Sequence, residues 1–247
     1  MPKLHGKNVR VYLDGYDLSG DSNSVEPGFA ADVVDISCFG DTSKTYVVGL
    51  ADPQIRWAGV YNDAANREHA VGSGRVGSQV MWNAAFGETR GNRGVGGSLN
   101  VSEYSVSSPI SGAVAFSANI TGGGATGIYE HGLTTILPKG SVPGGGGGPA
   151  GGTTGVDMGA GYIATSGTVT GHLQLFTGTG TITLQSSTAA GTNMVWTDRI
   201  PFGLCTAPLG KYNGTYVGTV PQYWRAHMSN GTGTAWASIG RIPPLEV

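Results

Sequence analysis

The chain has 247 residues, of which 44 are glycine and only 12% are charged, with a formal net charge of −2 at pH 7. That balance excludes nucleic-acid binding through net basicity, and glycines without a three-residue period exclude collagen. With 39% apolar residues, disorder is not expected.

The first region reads mostly as strands. Val9, Val11 and Leu13 alternate with Asn8, Arg10 and Tyr12, the pattern of a half-buried strand. Asp14-Gly15-Tyr16-Asp17 then supplies turn chemistry. Ile55, Trp57 and Tyr61 share one face of a second strand, with Gln54, Arg56 and Ala58 on the other. Between residues 63 and 86 the pattern is partly helical, although the glycines at 72, 74 and 77 break any continuous helix. Ser78 is placed to cap a short helix through Val80, Met81, Trp82, Ala84, Ala85 and Phe86, ended by Gly87. Val114, Phe116, Ala118 and Ile120 define a third strand, with Ala113, Ala115, Ser117 and Asn119 opposite.

Pro143-Gly144-Gly145-Gly146-Gly147-Gly148-Pro149 marks a linker or loop, since that much glycine disfavours any regular element. Charge also changes here: residues 1–140 carry 10 basic and 13 acidic side chains, and residues 141–247 carry 4 and 3. The expected organisation is a first domain over 1–140, a Gly-rich linker over 141–155, and a second domain over 156–247. Beyond the linker, Val169, Leu173 and Leu175 alternate with Thr170, His172 and Gln174. Ile182 and Leu184 follow a Gly-Thr turn. Trp224, Ala226 and Met228 oppose Tyr223, Arg225 and His227; Asn230-Gly231 is a hairpin signal, and Ala235, Ala237 and Ile239 close the chain. The fold class is mainly β: a β-sandwich or barrel-forming first domain with a short helix, then an all-β sandwich.

No constellation for catalysis emerges. There is no nucleophile elbow, zinc-protease helix or phosphate loop, and Gly72-Ser73-Gly74-Arg75-Val76-Gly77 has no strand before it to make a dinucleotide site. The two cysteines, Cys38 and Cys205, read as small buried or half-buried thiols, and the four Asn-x-Ser/Thr sequons as chance. His172 and His227 are the one histidine pair on strands of a single domain. Asp14, Asp17 and Asp21 read as turn residues, and Arg90 and Arg93 as a basic loop available to a neighbouring subunit. No catalytic residue, metal or cofactor is expected, and the chain is not expected to be an enzyme. No apolar run reaches the ~18 residues of a membrane-spanning helix, and Met1–Gly6 lacks the apolar stretch of a signal peptide. So low a charge density favours burial against partners.

The opening Met1-Pro2-Lys3-Leu4-His5-Gly6-Lys7-Asn8-Val9-Arg10-Val11, with Gly15-Tyr16-Asp17-Leu18-Ser19-Gly20 after it, resembles the first strand and turn of the major tail tube proteins of long, non-contractile-tailed bacteriophages, especially those of actinobacterial hosts. Phe39-Gly40-Asp41-Thr42-Ser43-Lys44-Thr45-Tyr46-Val47-Val48-Gly49-Leu50-Ala51-Asp52 is similar to that family's Lys-x-Tyr-x-x-Gly-Leu-x-Asp segment. The strands from His172 to Leu175, Thr181 to Ser187 and Tyr223 to Arg241 look like the C-terminal half of many such proteins. The resemblance implies a structural subunit of stacked, usually hexameric rings whose inner strands close into one barrel, removing every free strand edge. It implies a place in the virion tail, assembled in the host cytoplasm. The implied partners are further copies of the chain, a tape-measure protein in the lumen, tail terminator and tail-tip proteins, and viral DNA in transit without sequence preference. The hairpin over 39–52 is the expected stacking contact: Asp41-Thr42-Ser43-Lys44 form its polar tip, and Tyr46, Val47, Val48 and Leu50 offer apolar area. Full burial of Val48 or Leu50 would contribute about 1.5–3 kcal/mol each. Gln54, Arg56 and Ala58, or Ser117 and Asn119, are the faces available to line a lumen that must not grip phosphates. The alternative is a decoration or fibre-type module binding host-surface carbohydrate, with Trp196, Tyr212, Tyr216, Tyr223, Trp224 and Trp236 as candidates for its aromatic platform, although residues of this kind more often fill a small core.

Overall fold

A computed structural model describes residues 6–40, 42–87, 93–122, 133–142, 144–145, 156–157, 164–188 and 195–242. After a turn of 3-10 helix at Gly6–Asn8, β1 (Val9–Leu13) turns at Asp14-Gly15 into the short β2 (Tyr16–Asp17). Gly15 has φ +85°, and a Cβ on it would lie 2.2 Å from the Leu209 backbone nitrogen and 2.6 Å from the Leu175 carbonyl oxygen. Both the left-handed backbone and the close approach therefore require glycine. Gly15→Ala is expected to cost of order 2–4 kcal/mol in urea unfolding; a cost below about 1 kcal/mol would show that the turn can lift away from its neighbours.

β3 (Ser22–Asp35) and β4 (Tyr46–Val60) form a long antiparallel hairpin. A five-residue helix α1 (Glu68–Gly72) and a 3-10 turn (Ser73–Arg75) lead to β5 (Gln79–Phe86), β6 (Arg93–Ser107) and β7 (Ala115–Gly122). β6 pairs with β5 over residues 94–100 and with β7 over 99–107, so it belongs to two layers. One layer runs β3-β4-β7-β6 and the other β6-β5-β1-β2. Between them lie Val11, Leu13, Leu18, Ile55, Trp57, Val80, Trp82, Leu99, Val101, Phe116 and Ile120. The helix expected over Val80–Phe86 is β5, and the helix of this region is α1, just upstream. Both faces of β5 are buried from Val80 to Ala85, which removes the alternation that marks a strand.

β8 (Leu133–Val142) joins the halves edge to edge: Gly94 pairs with Leu133, and Gly233–Ile239 pair with residues 142–134. Gly144–Gly145 (β9) and Val156–Asp157 (β10) pair with the final strand, so the Gly-rich segment enters the sheet at Gly144–Gly145; residues 143 and 146–155 lie outside the described residues. β11 (Ala164–Ser187), β12 (Thr197–Thr206), β13 (Leu209–Val220) and β14 (Tyr223–Ile242) complete the fold. β11 and β14 pair along almost their whole length, and on its other edge β11 takes β13 first and β12 second. The expected turns before Ile182 and at Asn230-Gly231 are therefore continuous strand, interrupted only by register shifts. Gly231 serves close approach instead: its Cβ would fall 1.9 Å from the Thr179 carbonyl oxygen.

The halves meet through side chains as well. Tyr12, Ala85 and Trp236 form a buried cluster with Phe176 against it, with ring centroids 5.1 Å (Tyr12–Phe176) and 5.5 Å (Tyr12–Trp236) apart. Beside it, Gln174 accepts from the Gly15 backbone N–H (2.6 Å) and donates to the Met81 carbonyl (2.8 Å) and to Asn83 Oδ1 (2.7 Å). Asn83 Nδ2 lies 3.3 Å from His172 Nδ1. Gln174, Asn83 and His172 are fully buried.

Candidate assembly surface

The β3–β4 ladder extends from Ser22–Gly59 to Asp35–Tyr46, whereas β4 is backed by β7 only as far as the Gln54–Thr121 pair. Beyond that pair, β3 and β4 continue as a two-stranded arm with no third strand alongside among the described residues. Two strands alone are marginal in water, and this pair exposes large apolar side chains at its end: Val33, Val34, Ile36, Phe39, Tyr46 and Val47, with Phe39 fully exposed at 112%. Such a patch on a protruding arm marks an interaction site.

The tip is nevertheless shaped by its own polar groups. Asp35 Oδ1 accepts from the Ser37 N–H (2.9 Å) and hydroxyl (2.5 Å), Ser37 Oγ accepts from the Thr45 N–H (2.9 Å), and Ile36 N–H donates to the Thr45 carbonyl (2.9 Å). The two bonds from Ser37, with the Lys44 ammonium 3.7 Å from Asp35, hold the Asp35 carboxyl below the usual carboxylate range. Phe39 and Gly40 form the turn, and Thr42, Ser43, Lys44, Thr45 and Tyr46 are exposed beside it. Val48 pairs with Val33 and Asp52 with Ala30 in β4, which also contains Leu50; the side chains of Val48, Leu50 and Asp52, like Asp41, lie outside the described residues. Cys38, expected as a buried or half-buried thiol, is exposed at the tip, whereas Cys205 is buried.

The residues singled out for a lumen share one exposed face. Arg56 stands opposite Glu26 on β3 and Asn119 on β7, and Asn119 opposite Glu103 on β6; Gln54 and Ser117 flank them on the same strands. All six side chains are exposed. Asn119 Nδ2 donates to Glu103 Oε2 (2.6 Å), and the Ser105 and Ser117 hydroxyls are 2.8 Å apart. The result is a polar strip across four strands in which one arginine is balanced by two glutamates, while Ile55, Trp57, Phe116 and Ala118 point the other way into the core.

Other candidates separate. His172 stands opposite Ser238 and His227 opposite Thr183, at different ends of the β11–β14 ladder. Among the described residues, no three of His, Cys, Asp and Glu come together as a metal site. Burial pulls His172 down to about 3. Asp17 accepts from the Ser19 N–H and hydroxyl, as a turn residue should, whereas Asp14 Oδ1 accepts from the Met81 N–H on the neighbouring β5. Trp224 and Trp236 are enclosed in core, Tyr216 packs against the Trp224 cluster, and Arg225 covers Trp196 at 4.4 Å from the ring centroid, so these aromatics form no shared exposed platform; the Tyr212 side chain lies outside the described residues. Gly72–Gly77 span the end of α1 and the 3-10 turn. Arg90 lies outside the described residues, as does the Arg93 side chain. Glu68, which the sequence did not single out, is fully buried at the start of α1. Desolvation pushes its carboxyl up to about 7, against the pull of Tyr104 and the Asn62 backbone, with Asp21 adding to the rise.

No family model and no curated protein matches the chain. Among solved structures, it is similar to a chain of the native gene transfer agent virion at 16% identity and TM-score 0.41, covering 50% of this chain and 96% of that one. It is similar to the SPP1 tail tube at 11% identity and TM-score 0.40, covering 48% and 75%. To the SPP1 Dit protein, a hub of the adsorption apparatus, the identity is 10% and the TM-score 0.36, over 95% and 99%.

Proposed function

We propose that this protein is a structural subunit of a bacteriophage tail tube, assembling into stacked hexameric rings that conduct viral DNA during ejection. The observation that carries this is the two-stranded arm of β3 and β4, which reaches past its sheet with an apolar tip that the described residues leave exposed. The sequence resemblance over Met1–Val11 and Phe39–Asp52 supports the same assignment, and the second stretch encodes the tip and one strand of the arm. In this assignment the arm, from Phe39 to Asp52, makes the contact between rings. The strip of Gln54, Arg56, Ser117 and Asn119 lines the lumen. Its hydroxyls and amides and its excess of glutamate over arginine give passing phosphates little to hold. Residues 156–247 lie on the outside of the tube. The tape-measure protein occupies the lumen during assembly, and terminator and tail-tip proteins close its ends.

The arm itself provides the test. Deletion of residues 41–45 should abolish rings and tubes in negative-stain electron microscopy while leaving the circular dichroism spectrum and unfolding midpoint close to those of the intact chain, because the tip contributes nothing to either core. Polymers indistinguishable from the wild type would remove the arm from the contact and count against the tube.

A further inference from the structure

We infer that the tip of the β3–β4 arm seats on the opposite end of the same layer in a second copy of this chain, against the β6–β7 connection, so that copies join head to tail; this rests on the arm being the contact between rings. At one end of the layer the arm exposes Val33, Val34, Ile36, Phe39, Tyr46 and Val47. At the other end β4 stops at Val60, and residues 108–114 connect β6 to β7. A second exposed apolar group lies there: Val60 (48%), Val106 (45%) and Ile110 (110%). The pairs Val60–Ala115 and Val106–Phe116 place the two valines on either side of β7, next to the connection that carries Ile110.

A shift along the strands, rather than a two-fold rotation, brings one group onto the other. Two different patches at opposite ends generate an open line of subunits, whereas a patch that pairs with itself stops at a dimer. Charge agrees with the first arrangement. Lys44 is the exposed cation of the tip, and Asp63 is exposed three residues beyond the end of β4 at the acceptor end. Among the described residues the acceptor has three large apolar side chains, short of the about 800 Å² per partner that a stable pairwise contact buries. A single contact is therefore transient, and it becomes stable only when repeated around a ring.

Cys38 next to Phe39 makes the contact directly testable, since Cys205 is buried. Full-length Ile110→Cys protein is assembled, oxidised mildly and run on a non-reducing gel. A ladder of covalent dimers, trimers and larger species is expected, absent from the wild type and from Cys38→Ser/Ile110→Cys. Ile110 is fully exposed, so the substitution leaves the fold intact. Electron microscopy of the same samples separates the failures. Tubes without a ladder would place the acceptor elsewhere and overturn this inference while leaving the tube assignment standing. Wild-type material crosslinked only to dimers would show tip-to-tip pairing and overturn it as well. Neither rings nor tubes at any concentration would overturn the tube assignment, and this inference with it.

Discussion

Gln174→Leu is expected to lower the free energy of unfolding by about 3–5 kcal/mol, because it strands polar groups in a dry junction. Leucine fills much of the same volume, so the change is one of polarity rather than packing. Of the three groups bonded to Gln174, the Met81 carbonyl keeps a second donor in the Asp14 N–H at 3.0 Å. The Gly15 N–H and Asn83 Oδ1 lose the partners that Gln174 supplied. Each buried group left unsatisfied costs about 1–3 kcal/mol, and a bond of ordinary net worth is lost with it. In a chain whose total stability is about 5–15 kcal/mol, this is a large fraction, and the thermal midpoint should fall by roughly 10 °C. Gln54→Leu, the same exchange on an exposed face, is the control and should stay within about 0.5 kcal/mol. Urea unfolding of both variants decides the matter: equal losses would show that water enters the junction and that the halves are not locked through Gln174.

The junction also explains which parts of the structure the sequence conveyed. Strands with one face in the core were legible as alternation: Ile55 and Trp57 in β4, Phe116, Ala118 and Ile120 in β7, Trp224, Ala226 and Met228 in β14. β5 was not legible, because Val80, Trp82 and Ala84 meet the first core while Met81, Asn83 and Ala85 face the second half. An apolar run of that length without alternation suits a helix equally well. Thr170, His172 and Gln174 misled in the opposite sense: their alternation with Val169, Leu173 and Leu175 describes a solvated polar face, yet all three are fully buried. Gln174 and His172 meet Met81 and Asn83, about 90 residues away in sequence, and Gln174 also meets Gly15, 159 residues away; no local period reports that. At the assembly surface, the polar strip was legible because Gln54 and Arg56 alternate with Ile55 and Trp57. That Phe39 and its neighbours on the arm would be uncovered was not, since whether an apolar residue finds a partner depends on where the sheet ends.

Glu68→Gln should change how stability depends on pH, and the sign follows from two buried groups working against each other. The Glu68 carboxyl is raised in the folded chain from 4.5 to about 7, so its contribution is fully present below about 4.5 and is lost as pH rises toward 7. His172 is lowered from 6.5 to about 3, so its contribution is present above about 6.5 and is lost as pH falls toward 3. Between about 4.5 and 6.5 the two slopes oppose each other, each about 1.4 kcal/mol per pH unit at most, and the wild type should be nearly flat. Asp14, also raised by burial, and His227, lowered by burial and by Arg225, oppose each other in the same way. Glutamine at position 68 keeps the shape but cannot ionise, so the His172 slope should emerge. Stability of the variant should climb from pH 4.5 to 6.5 and at pH 8 exceed the wild type by about 1–3 kcal/mol, with the two converging near pH 4. Urea unfolding at pH 4, 5, 6, 7 and 8 measures this. A variant curve parallel to the wild type throughout would mean that Glu68 takes up protons alike in the folded and unfolded chain, its burial offset by Arg67, which lies 3.9 Å from Asp21, or by a cation drawn to the two carboxylates.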